Sequence, residues 1–342
     1  MNIAVLGAGN GGCAVAADMS LKGHNVTLIK TSDSLHNKNF EYLKKNNGKI
    51  SLVEDNTTKK TFIKTVTTDL SLLSDSDVVI VYIQSSYHDQ LIEKIIPYLR
   101  SEQILLFNPG YLSTALALKH NIRQDLIIAE AESSFVDCRI TNPGTVKISF
   151  RNKNNPIGIF PRNKKQKAIK ILDKIGYPFS YLSSVVEAGL HNPNLIVHTV
   201  GAIMSIPRIE KTNGNYVMYH EVFTPSVWNI LEKLDEEKMN ILKRLGFEPL
   251  AYVDACKIRN SPNDNRSAKE VFMWYALRPT AVPGPKEVDS RYISEDVPQG
   301  LVMLESLGLH LNVKTPIATS LIEIASAAIY FQKFIFIYFK NI

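Results

Sequence analysis

Residues 2–12 read Asn-Ile-Ala-Val-Leu-Gly-Ala-Gly-Asn-Gly-Gly, a short apolar run that passes into four glycines. The apolar run is typical of a buried parallel strand, and a helical pattern follows the glycines over residues 13–23. A Gly-x-Gly-x-x-Gly motif between a strand and a helix predicts a dinucleotide site, with the phosphates at the helix N-terminus. The first glycine permits a tight turn, the second admits a pyrophosphate, and the third lets helix and strand pack closely. The candidate cofactor-binding residues of this loop are Gly7, Gly9, Asn10, Gly11 and Gly12.

The end of the second predicted strand, residues 25–29, bears on the choice of cofactor. An NAD site usually has Asp or Glu there to bind the ribose 2′-hydroxyl. This chain has Lys30, Thr31 and Ser32 instead, which could hold a 2′-phosphate. We therefore favour NADP over NAD, while a solvated Lys30 and an enzyme that accepts either cofactor remains the alternative.

The rest of the first half continues the alternation of strands and helices. Apolar runs at 77–83, 104–108 and 126–129 predict further strands, so the fold class is α/β with a Rossmann-type doubly wound parallel sheet. The run at 104–108 ends in an Asn-Pro-Gly turn at the ligand-binding edge of such a sheet, which makes Asn108 a candidate cofactor-binding residue. Residues 146–150 and 157–160 are expected to pair with each other and to close this domain.

From about residue 185 the periodicity becomes helical, which predicts a dinucleotide-binding domain over 1–184 and a mostly α-helical domain over 185–342. Asn194 and His198 share one face of a helix that otherwise carries apolar residues. On spacing alone, His198 could equally be a core histidine with its hydrogen bonds satisfied. A second helix is expected to begin at Thr224-Pro225 and to stop near Gly246.

A charged loop precedes the last predicted helices. It reads Arg291-Tyr292-Ile293-Ser294-Glu295-Asp296 and holds one arginine and two carboxylates. On spacing alone, the loop could be a solvated charge cluster.

These segments together resemble one family, the opine dehydrogenases, over roughly residues 1–329. The matching pieces, in the family's order, are the Gly7–Gly12 motif, Asn108-Pro109-Gly110, Ala129-Glu130 with Cys138-Arg139, Asn192-Pro193-Asn194 with His198, Thr224-Pro225-Ser226-Val227, and Arg291-Tyr292 with Glu295-Asp296. The resemblance implies a reductive condensation, in which a 2-oxo acid and the amine of an amino acid form an imine that a nicotinamide cofactor reduces.

The resemblance also implies roles for single residues. His198 matches the family's acid/base histidine and Asp296 the aspartate that pairs with it. Reduction of a carbonyl or an imine needs a proton donor, and an adjacent carboxylate orients the imidazole. Arg291 matches an arginine that grips a substrate carboxylate, a task that suits a guanidinium fork. Asn194 and Glu130 complete the candidate substrate-binding residues, although the nearby Glu132 competes with Glu130 for its role.

Two alternatives stay open. The chain could reduce a small 2-oxo acid without an amine substrate, or it could be a non-catalytic dinucleotide-binding protein. The chain departs from the family after about residue 329, where it ends in the aromatic and aliphatic segment 329–339. We expect this tail to continue the final helix from Pro316 and to be structural.

Composition narrows the function classes. A net charge of +6, with Lys and Arg spread along the chain, does not indicate nucleic-acid binding and suits small anionic ligands. Three distant cysteines without a Cys-x-x-Cys pattern predict neither disulfides nor a metal site. No signal-peptide pattern or run of 18 apolar residues occurs, so we expect a cytoplasmic protein without a membrane span. The sequence leaves the oligomeric state open, a homodimer included.

Overall fold

The computed structural model describes residues 1–32, 35–122, 125–277 and 283–329. The chain divides into two compact units, Met1–Ala188 and Gly189–Ile342. The predicted continuation of the last helix into the tail lies outside the described residues. Within the described residues, no helix is both long enough and apolar enough to cross a membrane.

The first unit contains the strands. They are β1 (Asn2–Leu6), β2 (Asn25–Ile29), β3 (Lys49–Glu54), β4 (Thr57–Phe62), β5 (Thr65–Thr67), β6 (Val78–Val81), β7 (Ile104–Phe107), β8 (Ile127–Ala131), β9 (Val136–Asn142), β10 (Thr145–Arg151), β11 (Asn155–Phe160) and β12 (Phe179–Tyr181). Its helices are α1 (Asn10–Leu21), α2 (Asn37–Lys45), α3 (His88–Ile95), α4 (Ser113–Lys119) and α5 (Lys165–Leu172), and α6 (Val185–Leu190) runs across the division between the units.

The main sheet has eight strands in the order β12-β11-β8-β7-β6-β1-β2-β5. From β5 to β8 all neighbours are parallel, whereas β11 runs antiparallel to β8. The residues of β6 and β7 are fully buried, because a doubly wound sheet is covered on both faces and its strands are continuously apolar. The predicted Rossmann-type sheet is confirmed.

A second sheet of four strands, in the order β4-β3-β10-β9, was not predicted. The predicted pairing of residues 146–150 with 157–160 is wrong. The first segment lies in β10, which pairs with β9 and β3 in the small sheet, and the second lies in β11, which pairs with β8 in the main sheet. The short connection between them crosses from one sheet to the other and is not a hairpin turn.

An ion-pair network ties the small sheet to α1. The guanidinium of Arg151 in β10 donates to both carboxylate oxygens of Glu54, at 2.9 and 3.0 Å, and to Asp18 of α1 at 2.8 Å. These hydrogen bonds raise the pKa of Arg151 against the opposing effect of burial. The bidentate geometry fixes how β10 and β3 lie against the helix.

The second unit is helical, as expected. Its helices are α7 (Pro193–Met204), α8 (Ile206–Thr212), α9 (Met218–Glu221), α10 (Pro225–Arg244), α11 (Tyr252–Asn260), α12 (Ala268–Ala276), α13 (Arg291–Ser294), α14 (Val302–Leu311) and α15 (Pro316–Ala328), with a π-helical turn over Val297–Leu301. The predicted bounds of α10 are confirmed: Thr224 is its N-cap residue, and the left-handed Gly246 (φ +78°) follows its end.

The glycines of the first loop allow a prediction about stability. A Cβ at Gly12 would lie 1.7 Å from the carbonyl oxygen of Gly7, whereas the nearest contact of a Cβ at Gly9 would be an ordinary 3.6 Å to His36. We expect Gly12→Ala to lower the melting temperature by roughly 6–12 °C, because a clash with backbone puts the overpacking cost near 3 kcal/mol, the upper end of its usual range, at about 2–4 °C per kcal/mol. The matched control Gly9→Ala should melt within about 2 °C of the unmodified protein. Equal melting temperatures for the two variants, measured by calorimetry, would contradict this account of the turn.

Candidate active site

The glycine loop lies where the strand order of the main sheet reverses. The chain proceeds outward from β1 through β2 to β5 on one side, and from β6 to β8 on the other. Open α/β sheets bind ligands outside the carboxyl ends of their strands at such a point. The loop Gly7–Gly12 follows the carboxyl end of β1 and leads into α1.

The four glycines of this loop serve different purposes. Gly7 adopts φ +110°, Gly12 packs on the Gly7 carbonyl, and a Cβ at Gly11 would lie 2.0 Å from the Tyr82 ring. Only at Gly9 does the structure leave room for an added atom. Gly9 is also the N-cap residue of α1, and none of the described side chains caps that helix. The loop therefore fits a pyrophosphate, which would satisfy the N–H groups of the first turn.

Asn10 has a structural contact in addition to its place in the loop. Its Oδ1 accepts a hydrogen bond of 2.8 Å from the backbone N–H of Ile140 in β9. The side chain thus ties the small sheet to the start of α1. This contact occupies only Oδ1, so the Nδ2 amide and the backbone N–H of Asn10 remain as donors for a phosphate.

Lys30, Thr31 and Ser32 follow β2, where a ribose would bind in such a fold. The Lys30 ammonium donates to the backbone carbonyl of Ser32 and lies 5.8 Å from the centre of the Phe40 ring. Lys30 is 7% exposed, whereas Thr31 and Ser32 are half-buried. The alternative interpretation of Lys30 as a solvated lysine is therefore wrong.

Asn108 directly follows β7 at the same edge of the sheet, but its side chain is fully buried. Among the described residues, neither its Oδ1 nor its Nδ2 has a hydrogen-bond partner. A buried carboxamide with both polar atoms unpaired costs free energy, so this site suits a buried water or a polar ligand group. A direct contact with a cofactor would require the surrounding residues to move.

Glu130 lies at 0% exposure in β8, and its contacts are those of a helix cap. Its carboxylate accepts from the backbone N–H of Ser113 at 3.2 Å, and from the backbone N–H and hydroxyl of Thr114 at 2.7 and 2.5 Å. Burial raises the pKa of Glu130 to about 7, and the hydrogen bonds from Thr114, Leu112 and Ser113 lower it. These contacts hold the N-terminus of α4, which the predicted substrate-binding role did not foresee.

His198 and Asp296 form a hydrogen bond of 2.8 Å between Nδ1 and Oδ2. The predicted contact is therefore present, although 98 positions separate the two residues in sequence. Both belong to the unit Gly189–Ile342, so the pair forms within the helical unit. The Asp296 side chain is 4% exposed and that of His198 is 19% exposed. Among the described residues, no partner bonds Nε2 of His198.

Close packing of two helical segments brings these residues together. A Cβ at Gly300 would lie 3.2 Å from the Cα of Leu195, so a glycine lets the π-helical turn approach α7. Leu195 precedes His198 by three residues and Gly300 follows Asp296 by four, which places each pair on one helix face. Single π-helical turns are frequent at functional sites.

Asn194 and Arg291 lie in the same unit as this pair. Asn194 lies one turn before His198 in α7, and its backbone N–H donates to the side chain of the N-cap residue Asn192 at 3.0 Å. Arg291 donates from Nε to Glu295 at 2.6 Å, and the Arg291 side chain is 62% exposed. The solvated charge cluster that spacing alone allowed is thus present in part, because Arg291 is exposed whereas Glu295 and Asp296 are buried.

Three aromatic residues of these sites were missed. Tyr292 stacks on the His198 ring, with ring centroids 3.9 Å apart and planes 10° from parallel. His36 lies beside the open position at Gly9. His88 is fully buried, bonds Ser113 Oγ from Nδ1 at 2.6 Å, and has its pKa lowered to about 4 by burial. Of the three, only Tyr292 has a four-residue interval to a predicted site residue, Asp296, and that interval becomes informative once the segment is known to be helical.

Two family models match the chain. Residues 181–329 match "NAD/NADP octopine/nopaline dehydrogenase, alpha-helical domain", and residues 3–155 match "Ketopantoate reductase PanE/ApbA". The chain is 27% identical over 331 residues to the opine dehydrogenase of Arthrobacter sp. (strain 1C), which covers 95% of this chain and 90% of that relative.

Solved structures agree with the fold. Octopine dehydrogenase with NADH and L-arginine is similar to this chain with a TM-score of 0.75 and 14% sequence identity. The match covers 96% of this chain and 90% of the octopine dehydrogenase chain. Yersinopine dehydrogenase with bound NADP⁺ has a TM-score of 0.71 at 15% identity, with 96% and 91% covered. At such identities the likeness shows the architecture of the chain.

The raised pKa of Glu130 predicts how stability depends on pH. The unfolded carboxyl titrates near 4.5 and the folded one near 7, so its contribution is fully present below pH 4.5 and is lost as the pH rises to about 7. Glu130→Gln has no such titration. We expect the free energy of unfolding of the unmodified protein to fall by about 3 kcal/mol relative to that of this variant between pH 4.5 and 7.5, at about 1.4 kcal/mol per pKa unit.

Urea unfolding at several pH values measures this difference. The exposed Glu93→Gln is the matched control, and its difference from the unmodified protein should not change with pH in this way. A constant difference for Glu130→Gln would mean that Glu130 titrates alike in the folded and unfolded chains.

Proposed function

We propose that this chain, which belongs to the opine dehydrogenase family, catalyses the NAD(P)H-dependent condensation of a 2-oxo acid with the amino group of an amino acid. The single observation that carries the proposal is the His198–Asp296 pair within a unit whose residues match the family's helical domain. The reaction is reversible. It consumes the 2-oxo acid, the amino acid, NAD(P)H and one proton, and it releases a secondary amine, NAD(P)⁺ and water.

His198 moves the protons of this reaction at Nε2. The amine attacks the carbonyl carbon, and the carbonyl oxygen must gain protons before it leaves as water and the imine forms. When bound, the cofactor supplies a hydride to the imine carbon. Asp296 accepts a hydrogen bond from Nδ1–H, so the proton-transferring nitrogen is Nε2 and the imidazolium is stabilised when it forms.

Arg291 and Asn194 are the proposed substrate-binding residues. A guanidinium binds a carboxylate through two parallel hydrogen bonds. The hydrogen bond from Nε to Glu295 orients the Arg291 side chain for such a contact. Asn194 lies one turn from His198, within reach of the same substrate. Glu130 is the remaining proposed substrate-binding residue, and in the first unit its carboxylate also caps the N-terminus of α4.

A second candidate function has its own support. The match of residues 3–155 to the ketopantoate reductase model favours an enzyme that reduces a 2-oxo acid without an amine. A non-catalytic dinucleotide-binding protein would have no use for a buried carboxylate that orients an imidazole.

A matrix of 2-oxo acids against amino acids, followed by oxidation of NADPH and NADH, tests the proposal. We expect oxidation only where both substrates are present. Turnover of a 2-oxo acid alone would establish the second candidate instead.

We further propose that the protein works in the cytoplasm and forms a homodimer. The three cysteines support the first of these, because none of them forms a disulfide and a reducing compartment keeps thiols reduced. Gel filtration with light scattering measures the oligomeric state.

The acid/base role of His198 predicts a defect in turnover. We expect His198→Ala to lower kcat by about 10²–10⁴, the usual contribution of a general acid/base. Cofactor affinity should be nearly unchanged. His120→Ala is the matched control, because His120 also pairs with an aspartate but lies in the other unit. Near-normal turnover of His198→Ala would make His198 a structural histidine.

The residues after β2 predict the cofactor preference. We expect NADPH to bind more tightly than NADH, because Lys30 lies close to the proposed 2′-phosphate site and would bind its charge. Lys30→Ala should abolish most of the preference, while Lys38→Ala on the exposed surface of α2 should leave it unchanged. Titrations of both cofactors, followed by fluorescence, measure it. Tighter binding of NADH to the unmodified protein would refute this role of Lys30.

A further inference from the structure

The imidazole of His198 is held from two directions. Asp296 bonds Nδ1 at the edge of the ring, and Tyr292 covers one face of the ring at a centroid distance of 3.9 Å. The two planes differ by only 10°. A single hydrogen bond fixes the position of Nδ1, but it leaves the ring able to tilt about that bond. The stacked ring removes this freedom.

The register of the chain explains why both contacts come from one segment. Tyr292 and Asp296 are four residues apart, so they lie on one face of the helical path that begins with α13. Arg291 and Glu295 are also four apart, and they form their ion pair on a neighbouring face. Two pairs of residues therefore alternate along this segment. Tyr292 and Asp296 contact the histidine, while Glu295 binds Arg291.

Tyr292 is itself supported by packing. It lies against a cluster of buried residues in the helical unit: Ile209, Tyr216, Met218 and Val222. Tyr216 of this cluster is anchored by a hydrogen bond of 2.9 Å between its hydroxyl and Ser205 Oγ. The ring that covers His198 is thus fixed by residues that do not belong to the pair.

We propose that Tyr292 is a positioning residue, whose ring fixes the plane of the His198 imidazole and hence the direction in which Nε2 faces the substrate. This role rests on the proposed function of His198 as the acid/base. Proton transfer depends steeply on the direction and distance of the donor, so a ring free to tilt would slow turnover.

An aromatic face suits this task because His198 changes its charge in each cycle. A neutral imidazole stacks on a phenol ring, and an imidazolium is attracted to the negative face of the same ring. A second carboxylate would favour only the charged form. The ring of Tyr292 therefore holds the imidazole in both protonation states. Stacking requires only the ring of Tyr292, so phenylalanine should be able to replace tyrosine at this position.

Two substitutions separate the stacking ring from the hydroxyl. We expect Tyr292→Leu to lower kcat about 10- to 100-fold, with each KM within about threefold of the original value, since a small misplacement near the reacting atoms can cost about 100-fold. Tyr292→Phe should keep kcat within about threefold. Tyr219→Leu is the matched control: Tyr219 packs on the same cluster, and its ring contacts are with Phe223, Phe272 and Tyr275.

Proton NMR of histidine-labelled protein gives a readout that does not require turnover. A ring stacked at 3.9 Å shifts the carbon-bound protons of His198 upfield, and His198→Gln identifies those signals. The shift should persist in Tyr292→Phe and disappear in Tyr292→Leu. If Tyr292→Leu does not fold, Tyr292→Met takes its place, since the flexible methionine side chain fills the space without a ring.

The outcomes separate this inference from the proposed function. If the unmodified protein turns over no pair of substrates, the proposed function fails and the positioning role falls with it, whatever the NMR signals show. If the unmodified protein is active and Tyr292→Leu retains its kcat, only the positioning role is refuted. Equal losses of kcat in the Phe and Leu variants would assign the effect to the hydroxyl and would also overturn it.

Discussion

The hydrogen bond between His198 and Asp296 is the interaction on which the chemistry of the helical unit depends. It joins α7 to the segment after α13, and it requires those segments to pack at the distance that Gly300 permits. The packing must remain rigid, because the imidazole is useful only if Nε2 keeps one direction. The π-helical turn next to Asp296 is where the helical path accommodates this approach.

Buried carboxylates hold helix N-termini in both units of this chain. Glu130 binds the first N–H groups of α4, and Glu237 accepts from Ile317 and Ala318 at the start of α15, at 2.7 and 3.0 Å. A buried carboxylate at a helix N-terminus gains both hydrogen bonds and a favourable dipole. This shared device explains why Glu130, which resembled a substrate-binding residue in sequence, has the contacts of a cap. A buried acid is therefore weak evidence for a catalytic role unless its partner is a titrating group.

The main sheet could be predicted because its strands are continuous apolar runs, as in Val78–Val81. The small sheet could not, because β4 reads Thr-Thr-Lys-Lys-Thr-Phe and is almost wholly exposed. Its turn with β3 consists of Asp55 and Asn56, both with positive φ, at +46° and +60°. Asp and Asn tolerate this conformation, but they signal a hairpin more weakly than a glycine does. The pairing of β10 with β3 is set by contacts between distant segments, which no local pattern carries.

The candidate site also has one part that the sequence could predict and another part that it could not. The glycine loop could be derived from the residues alone, because its steric demands fall on consecutive positions. The pairing of His198 with Asp296 came from a resemblance, since spacing allowed a core histidine and a solvated charge cluster equally well. Tyr292 was passed over because an aromatic residue beside charged ones has no fixed meaning until the backbone is known to be helical there. Once Arg291 to Asp296 follow a helical path, the four-residue intervals place Tyr292 and Asp296 on one face, and a single imidazole can then meet both.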